Sequence, residues 1–175
     1  YTRETSNYLK EYGASVSESI QWMDDQRETQ GLLSLTNLDR QNFKARTHMV
    51  GENASSLIYA CSFSDFMSID RKKYEIVSVL GNSMGWYTAL VLSGAVSWEN
   101  GFHLISTMGS MMKDKLIGAQ MIYPIVDDEW NVDQNMKDLV FSELSNAGAY
   151  LSINLGGFIV IGGDKSALKK LSKIL

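Results

Sequence analysis

Cysteine is nearly absent from this chain: its 175 residues contain one, Cys61. An internal disulfide is excluded, and the usage fits a reducing compartment, so the expected location is cytoplasmic. Cys61 lies in an apolar helical stretch, where a thiol is expected to be buried and inert rather than nucleophilic. Histidine is almost as scarce, with only two, His48 and His103. Two histidines and one cysteine do not make a metal site, so no metal is expected. Basic blocks are missing as well. Lys and Arg number 16 against 20 Asp and Glu, for a net charge of −4. Nothing is there to neutralise a run of phosphates, which argues against nucleic acid as the main partner. No apolar run approaches the roughly 18 residues that a membrane-spanning helix needs.

What is present is enough hydrophobic material for a core, 45% of the residues, in a length that suits one domain or one domain with a small lobe. Thr5 to about Arg27 has helical spacing, with Tyr8, Leu9, Tyr12, Val16, Ile20 and Met23 along it. Residues 28–46 are polar and mixed, and read as short helical turns and loop. A third helix begins near Glu52-Asn53 and carries Ala54, Leu57, Ile58, Cys61, Phe63 and Phe66 on a broad apolar face. Ser68 to Lys73 is a polar connection.

The centre of the chain is Gly81-Asn82-Ser83-Met84-Gly85, a G-x-S-x-G pentapeptide. Before it, Tyr74 to Leu80 reads as a buried parallel strand; after it, Trp86 to Ala95 reads as a helix. Strand, tight turn and helix are the context of a nucleophile elbow. Both glycines are expected to be required, because side chains there would collide with the strand and helix on either side. In that setting Ser83 is the candidate nucleophile, and the backbone N–H of Met84 points to where an oxyanion would form. Gly94 to Ser97 is a turn, and Ser97 can cap a helix carrying Trp98, Phe102, Ile105, Met108 and Met112.

The character changes at Gly118. Gln120 to Val126 reads as a strand and Asn131 to Asn146 as a helix. Tyr150 to Leu155 and Phe158 to Ile161 form a hairpin around Gly156-Gly157, and Asp164 caps a last helix. The order β-α-β-β-α is that of a ferredoxin-like lobe without its fourth strand. The expected division is residues 1–117, an α/β core with the elbow, and 118–175, an incomplete ferredoxin-like subdomain.

Gly81-Asn-Ser-Met-Gly-Trp-Tyr-Thr-Ala-Leu, running on to Met108-Gly-Ser-Met-Met112, resembles the malonyl-CoA:acyl carrier protein transacylase family, which includes the acyltransferase domains of fatty acid and polyketide synthesis. That family's elbow reads G-H-S-x-G-E-Y-x-A-L, followed by a helix ending in R-G-x-x-M. Ser152 to Gly163 looks like its N-x-P-x-Q-x-V-I-x-G hairpin, so the likeness runs from about residue 47 to 175. The resemblance implies a parallel-sheet, hydrolase-like acyltransferase core with a ferredoxin-like insert. It implies Ser83 as nucleophile, Met84 as an oxyanion donor, and Asn82, Trp86, Met108, Asn154 and Glu52 around the substrate. Asn82 stands where the family has His, Trp86 where it has Glu, and Met108 where malonyl-selective members have Arg. A thioether offers a malonyl carboxylate neither charge nor donors. An uncharged acyl group is therefore expected, with Met111 and Met112 packing helix against sheet.

The implied reaction moves an acyl group from a CoA or carrier thioester, through acyl-Ser83, to an acyl carrier protein or CoA thiol, with no cofactor beyond acyl-CoA or acyl-phosphopantetheine as substrate. Lys165, Lys169, Lys170 and Lys173 are either a docking patch for an acidic carrier protein or a solvated helix face. The family's catalytic histidine follows the insert, and its other oxyanion donor lies in an N-terminal G-Q-G-S-Q loop. Neither is in this sequence, which opens at Tyr1 without a Met, so a longer polypeptide is expected to supply both. Two alternatives share the same residues: a non-catalytic acyltransferase-like binding protein, and a serine thioesterase or esterase.

Overall fold

Gly13 and Asn7 decide how the chain begins. In the computed structural model, which describes residues 1–112 and 118–175, the expected first helix is broken at both positions. Asn7 takes φ +65°, and the chain then forms α1 (Tyr8–Tyr12) and, after a 3-10 turn at Ala14–Val16, α2 (Ser17–Thr29). Gly13 closes α1 by donating its N–H to Leu9 O at 2.9 Å. A Cβ there would run into that same carbonyl oxygen and lie 2.7 Å from Ile20 Cδ1. The break lets α1 and α2 fold back on one core instead of running on as a rod. Short helices α3 (Leu35–Arg40) and α4 (Ala45–His48) follow, then the long α5 (Gly51–Ser68), α6 (Gly85–Leu92) and α7 (Trp98–Met111).

These helices form a unit spanning Tyr1–Lys115. Leu9, Ile20, Met23, Leu35 and Leu38 from the first helices meet Leu57, Tyr59, Ala60 and Phe63 of α5, Val91 of α6, and Phe102 and Ile105 of α7 in one buried cluster. Two polar devices pin α5 in place. The Arg27 side chain, 1% exposed, donates to Leu33 O, Glu52 O, Ser56 Oγ and Asn53 Oδ1 at 2.7, 2.7, 3.1 and 2.5 Å. Of the four acceptors, Glu52 O and Ser56 Oγ also bond each other at 3.2 Å, while Leu33 O and Asn53 Oδ1 rely on Arg27. The buried Tyr59 hydroxyl donates to Trp98 O at 2.7 Å, tying α5 to α7.

The expected parallel strand at Tyr74–Leu80 is absent. Residues 75–80 have no regular structure, and Val77 and Leu80 are 87 and 92% exposed. A strand is held by the ladder of a neighbour, and among the described residues of this unit none forms a strand to pair with it. The same fact moves Met111 and Met112. Expected to pack helix against sheet, they are 58 and 55% exposed, and no strand among the described residues of this unit covers them.

The second unit, Leu116–Leu175, mixes helix and sheet. Its elements are β1 (Ala119–Pro124), α8 (Gln134–Ala147), β2 (Tyr150–Asn154), β3 (Phe158–Gly163) and α9 (Lys165–Leu171). The sheet order is β1-β3-β2, antiparallel throughout, with Ile122 opposite Val160 and Tyr150 opposite Gly162. Placing β3 between β1 and β2 makes a split β-α-β arrangement. Ile159 and Ile161 of β3, Val140 and Leu144 of α8, and Leu168 and Leu171 of α9 build a separate core. Asp164 caps α9 by accepting from Ala167 N–H at 2.7 Å. Asp133 does the same for α8 through Asn135 and Met136 N–H.

Candidate active site

The pentapeptide 81–85 is a tight turn at the N-terminal mouth of α6. Ser83 is one of three non-glycine residues in the left-handed region among the described residues, at φ +54°. That backbone costs an ordinary residue about 1–2 kcal/mol. Gly85 N–H donates to Asn82 O at 2.8 Å, Trp86 N–H to Ser83 O at 3.1 Å, and Tyr87 N–H to Met84 O at 3.1 Å. Among the described residues no backbone oxygen takes the Met84 N–H. It lies at the positive end of the α6 dipole, where a developing negative charge is stabilised.

The two glycines of the motif are not equivalent. A Cβ on Gly81 would strike the Gly85 carbonyl and sit 2.7 Å from Trp86 N, so the turn closes only around glycine. At Gly85 an added Cβ meets nothing within 4 Å. The expectation that both are sterically required therefore fails at Gly85, because residues 74–80 do not pack on it as a strand.

Helix α6 is anchored on its inner face. Thr88 and Val91 are buried, and Met84, Tyr87 and Leu92 pack against the first core. Val91 fills the space that Gly101 of α7 leaves open, since a Cβ on Gly101 would collide with it. Ser97 caps α7, accepting from Asn100 N–H at 3.3 Å. These contacts fix where the turn presents Ser83.

A cavity of about 430 Å³ opens beside the serine, walled by Ile58 of α5, Val79, Leu80, Asn82, Ser83, Met84, Thr88 and Leu92. Asn82, Ser83 and Met84 thus share one wall, while Trp86, Met108 and Glu52 are not part of it. Trp86 is 66% exposed, and Met108 is half-buried on α7. Glu52 lies in the first turn of α5, its carbonyl taken by Arg27 and by Ser56 Oγ at 3.2 Å. Asn154 belongs to the second unit, where its Oδ1 accepts the Gly156 N–H at 3.0 Å and shapes the β2–β3 turn. Sequence reasoning missed Thr88. It lies one turn beyond Met84 on α6, on the same face, and that spacing was the available signal. Its hydroxyl is buried and has no hydrogen-bond partner among the described residues.

Neither histidine is placed as a base. His48 is fully buried: Lys44 N–H donates to its Nδ1 at 3.0 Å, which leaves Nε2–H to donate to Leu38 O at 2.9 Å. Both ring nitrogens are spent, and the ring stacks on Tyr1 and Phe43. His103 is exposed on α7 with its ring against Trp22. Burial pushes the Cys61 thiol up to about 12, which keeps it protonated. Among the described residues no group of three or more His, Cys, Asp or Glu could hold a metal. No described helix is long and apolar enough to cross a membrane.

No family model matches the chain, and no curated protein matches it. Solved structures do. An acyl-carrier-protein S-malonyltransferase from Bartonella henselae superposes with TM-score 0.72 at 19% identity, covering 99% of this chain and 56% of that one. A malonyl-transacylase solved in complex with a type II polyketide synthase acyl carrier protein gives 0.70 at 19%, covering 97% and 54%. The acyl transferase domain of ZmaA gives 0.71 at 15%, covering 97% and 39%. The chain thus has the fold of these acyltransferases and spans about half the length of the malonyltransferases it matches.

Proposed function

We propose that this chain carries the nucleophile of a serine acyltransferase that works on acyl carrier protein or CoA thioesters. The observation that supports it is Ser83 at φ +54° on the N-terminal mouth of α6, within a fold shared with acyl-carrier-protein S-malonyltransferases. On this reading residues 81–85 are a nucleophile elbow, residues 1–117 belong to the catalytic core, and residues 118–175 are a ferredoxin-like lobe.

Ser83 Oγ attacks the thioester carbonyl and gives up its proton. The carbonyl oxygen becomes an oxyanion beside the Met84 N–H, where one such donor contributes about 3–4 kcal/mol. The tetrahedral species collapses, the thiol leaves with a proton, and an acyl ester remains on Ser83. A pantetheine thiol then attacks that ester and restores the serine. With both His48 ring nitrogens bonded to backbone and His103 outside the cavity lining, neither histidine is proposed as the proton acceptor. Asn82, Trp86 and Glu52 are proposed to border the substrate. Met108 is proposed to select an uncharged acyl group, since lacking a guanidinium for a malonyl carboxylate costs about 2–5 kcal/mol.

The test is intact mass after incubation with malonyl-, acetyl- and longer acyl-CoAs, on a protein that includes any segment completing the fold. An adduct that disappears in Ser83→Ala supports the nucleophile, and its mass gives the acyl class. Preferential labelling by malonyl overturns the Met108 reading. Absence of any adduct overturns the enzyme reading.

A further inference from the structure

We propose that the loop carrying Trp130, in the second unit, docks an arginine-bearing segment of a partner protein, with the guanidinium stacked on the indole and paired with the carboxylates of Asp128 and Glu129. Trp130 is 72% exposed. Its one ring neighbour among the described residues is Phe158, with centroids 6.1 Å apart. Val132 of the same loop is 49% exposed. Leu155, whose N–H donates to Phe158 O at 2.9 Å, is 46% exposed. Ile125 N–H donates to Gly157 O at 2.9 Å, so the loop and the β2–β3 turn adjoin. Single apolar side chains on a surface need no account. Several gathered on adjoining turns around a tryptophan have the composition of a docking anchor.

The loop is ordered before any partner arrives. Trp130 N–H donates to Asp127 O at 3.1 Å and Asp127 N–H to Asn131 O at 2.9 Å, and Val126 bridges Val132. Asp127 Oδ1 accepts from Glu129 and Asn131 N–H at 3.0 and 2.8 Å. The exposed ring therefore stands on a closed loop, and less freedom is lost when a partner covers it.

Charge names the occupant. Residues 125–136 carry Asp127, Asp128, Glu129 and Asp133 and no Lys or Arg; the nearest basic residue along the chain is Lys137. Asp127 closes the loop and Asp133 caps α8. Asp128 and Glu129 are exposed, and their carboxylates accept no hydrogen bond from the described residues. No group of three or more His, Cys, Asp or Glu among the described residues could hold a metal ion, so the complementary cation is organic. Arginine fits better than lysine, because its planar guanidinium stacks on an aromatic face and donates to carboxylates in a fork. A free guanidinium would leave Val132 and Leu155 bare, whereas a polypeptide covers them too. An acidic carrier protein would be repelled by the same carboxylates. The inference does not depend on Ser83 being a nucleophile.

The experiment is a titration of a fluorescently labelled peptide of alternating Arg and Gly into the full-length protein at low salt, read by anisotropy. Lys-Gly and Glu-Gly peptides of the same length are run beside it. The Arg-Gly peptide is expected to bind, about threefold or more tighter than Lys-Gly, and to weaken as salt rises. Trp130→Ala should weaken it about fivefold or more. Asp128→Asn with Glu129→Gln should weaken it about threefold or more. Both variants are to be folded by circular dichroism. Ser83→Ala should leave the affinity unchanged, which separates this inference from the acyltransferase reading. The proposal is overturned if Arg-Gly does not bind, if Trp130→Ala or the carboxylate variant binds it as well as the parent, or if Lys-Gly binds equally. Tighter binding of Glu-Gly also overturns it, as an acidic partner would then be the occupant. So does a dimer in sedimentation that Trp130→Ala dissolves, because a second copy would then cover the loop.

Discussion

Gly51 and Gly109 meet backbone to backbone where α5 crosses α7: a Cβ added to either would lie 2.5 Å from the other's carbonyl oxygen. The two helices that frame α6 are thereby brought together with no side chain between them, and Ser55 Oγ comes within 2.8 Å of the same spot on Gly109. Helix propensity favours replacing either glycine with alanine by about 1 kcal/mol. The steric cost is larger because the obstructing atoms are backbone. Gly109→Ala is expected to destabilise by about 1–2 kcal/mol net, read from urea unfolding. The Gly51→Ala/Gly109→Ala pair should fall short of the sum, since one displacement of the helices relieves both clashes.

Arg27 supplies a second stability test. Arg27→Met removes four donations and leaves Asn53 Oδ1 and the Leu33 carbonyl without their donor, while Glu52 O and Ser56 Oγ keep each other. The expected loss is about 3–5 kcal/mol. Burial also draws the guanidinium pKa below its ordinary value, while Glu52 and Asp24 pull it back up. Arg27→Lys keeps the charge but not the forked geometry, and should recover only part of the loss in the same unfolding measurement.

At Ser83, stability and activity should part. Glycine adopts φ +54° without the penalty that serine bears, at the expense of greater freedom in the unfolded chain. Ser83→Gly is expected to be more stable than Ser83→Ala by about 1 kcal/mol, and neither should form an acyl adduct. Thermal unfolding of the two variants checks the first statement and intact mass the second. Equal stabilities would mean that the turn does not hold its left-handed backbone in solution.

Cys61 gives a pH test. Burial raises its thiol from 9 to about 12, so at pH 8 the thiolate population is lower by about a thousandfold than in an unfolded chain. Labelling with an aromatic disulfide reagent should be slow in the folded protein and fast in urea. Because the folded pKa is the higher one, this stabilising contribution is complete below about pH 9. It is lost as the pH rises toward 12. Tyr59 and Tyr1 are raised in the same direction, also chiefly by burial, so the midpoint of urea unfolding should fall through the alkaline range.

The features legible in the sequence are those set by a few adjacent residues. Ser97 and Asp164 were readable as caps because a cap is an oxygen and an N–H two or three residues on. The β2–β3 hairpin was readable from Gly156-Gly157 between two β-prone runs, and the likeness to the acyltransferases from the run 81–90. Distant partners decided the rest. Tyr74–Leu80 has the composition of a strand, but pairing depends on a neighbour's backbone, and none of the described residues of its unit provides one. Gly13 split a helix that periodicity drew as continuous, because its place against Leu9 and Ile20 is a packing fact. The partners of Glu52 and Asn154 are likewise set by the fold: the Glu52 carbonyl accepts from Arg27 and the Asn154 Oδ1 from the Gly156 N–H. Sequence alone settled the helix caps at Ser97 and Asp164 and the hairpin turn at Gly156-Gly157, since these follow from short-range sterics and hydrogen bonding. Only the tertiary structure settled which polar groups are already satisfied, and which, like the Thr88 hydroxyl, have no partner among the described residues, because satisfaction is a property of contacts between elements far apart in the chain.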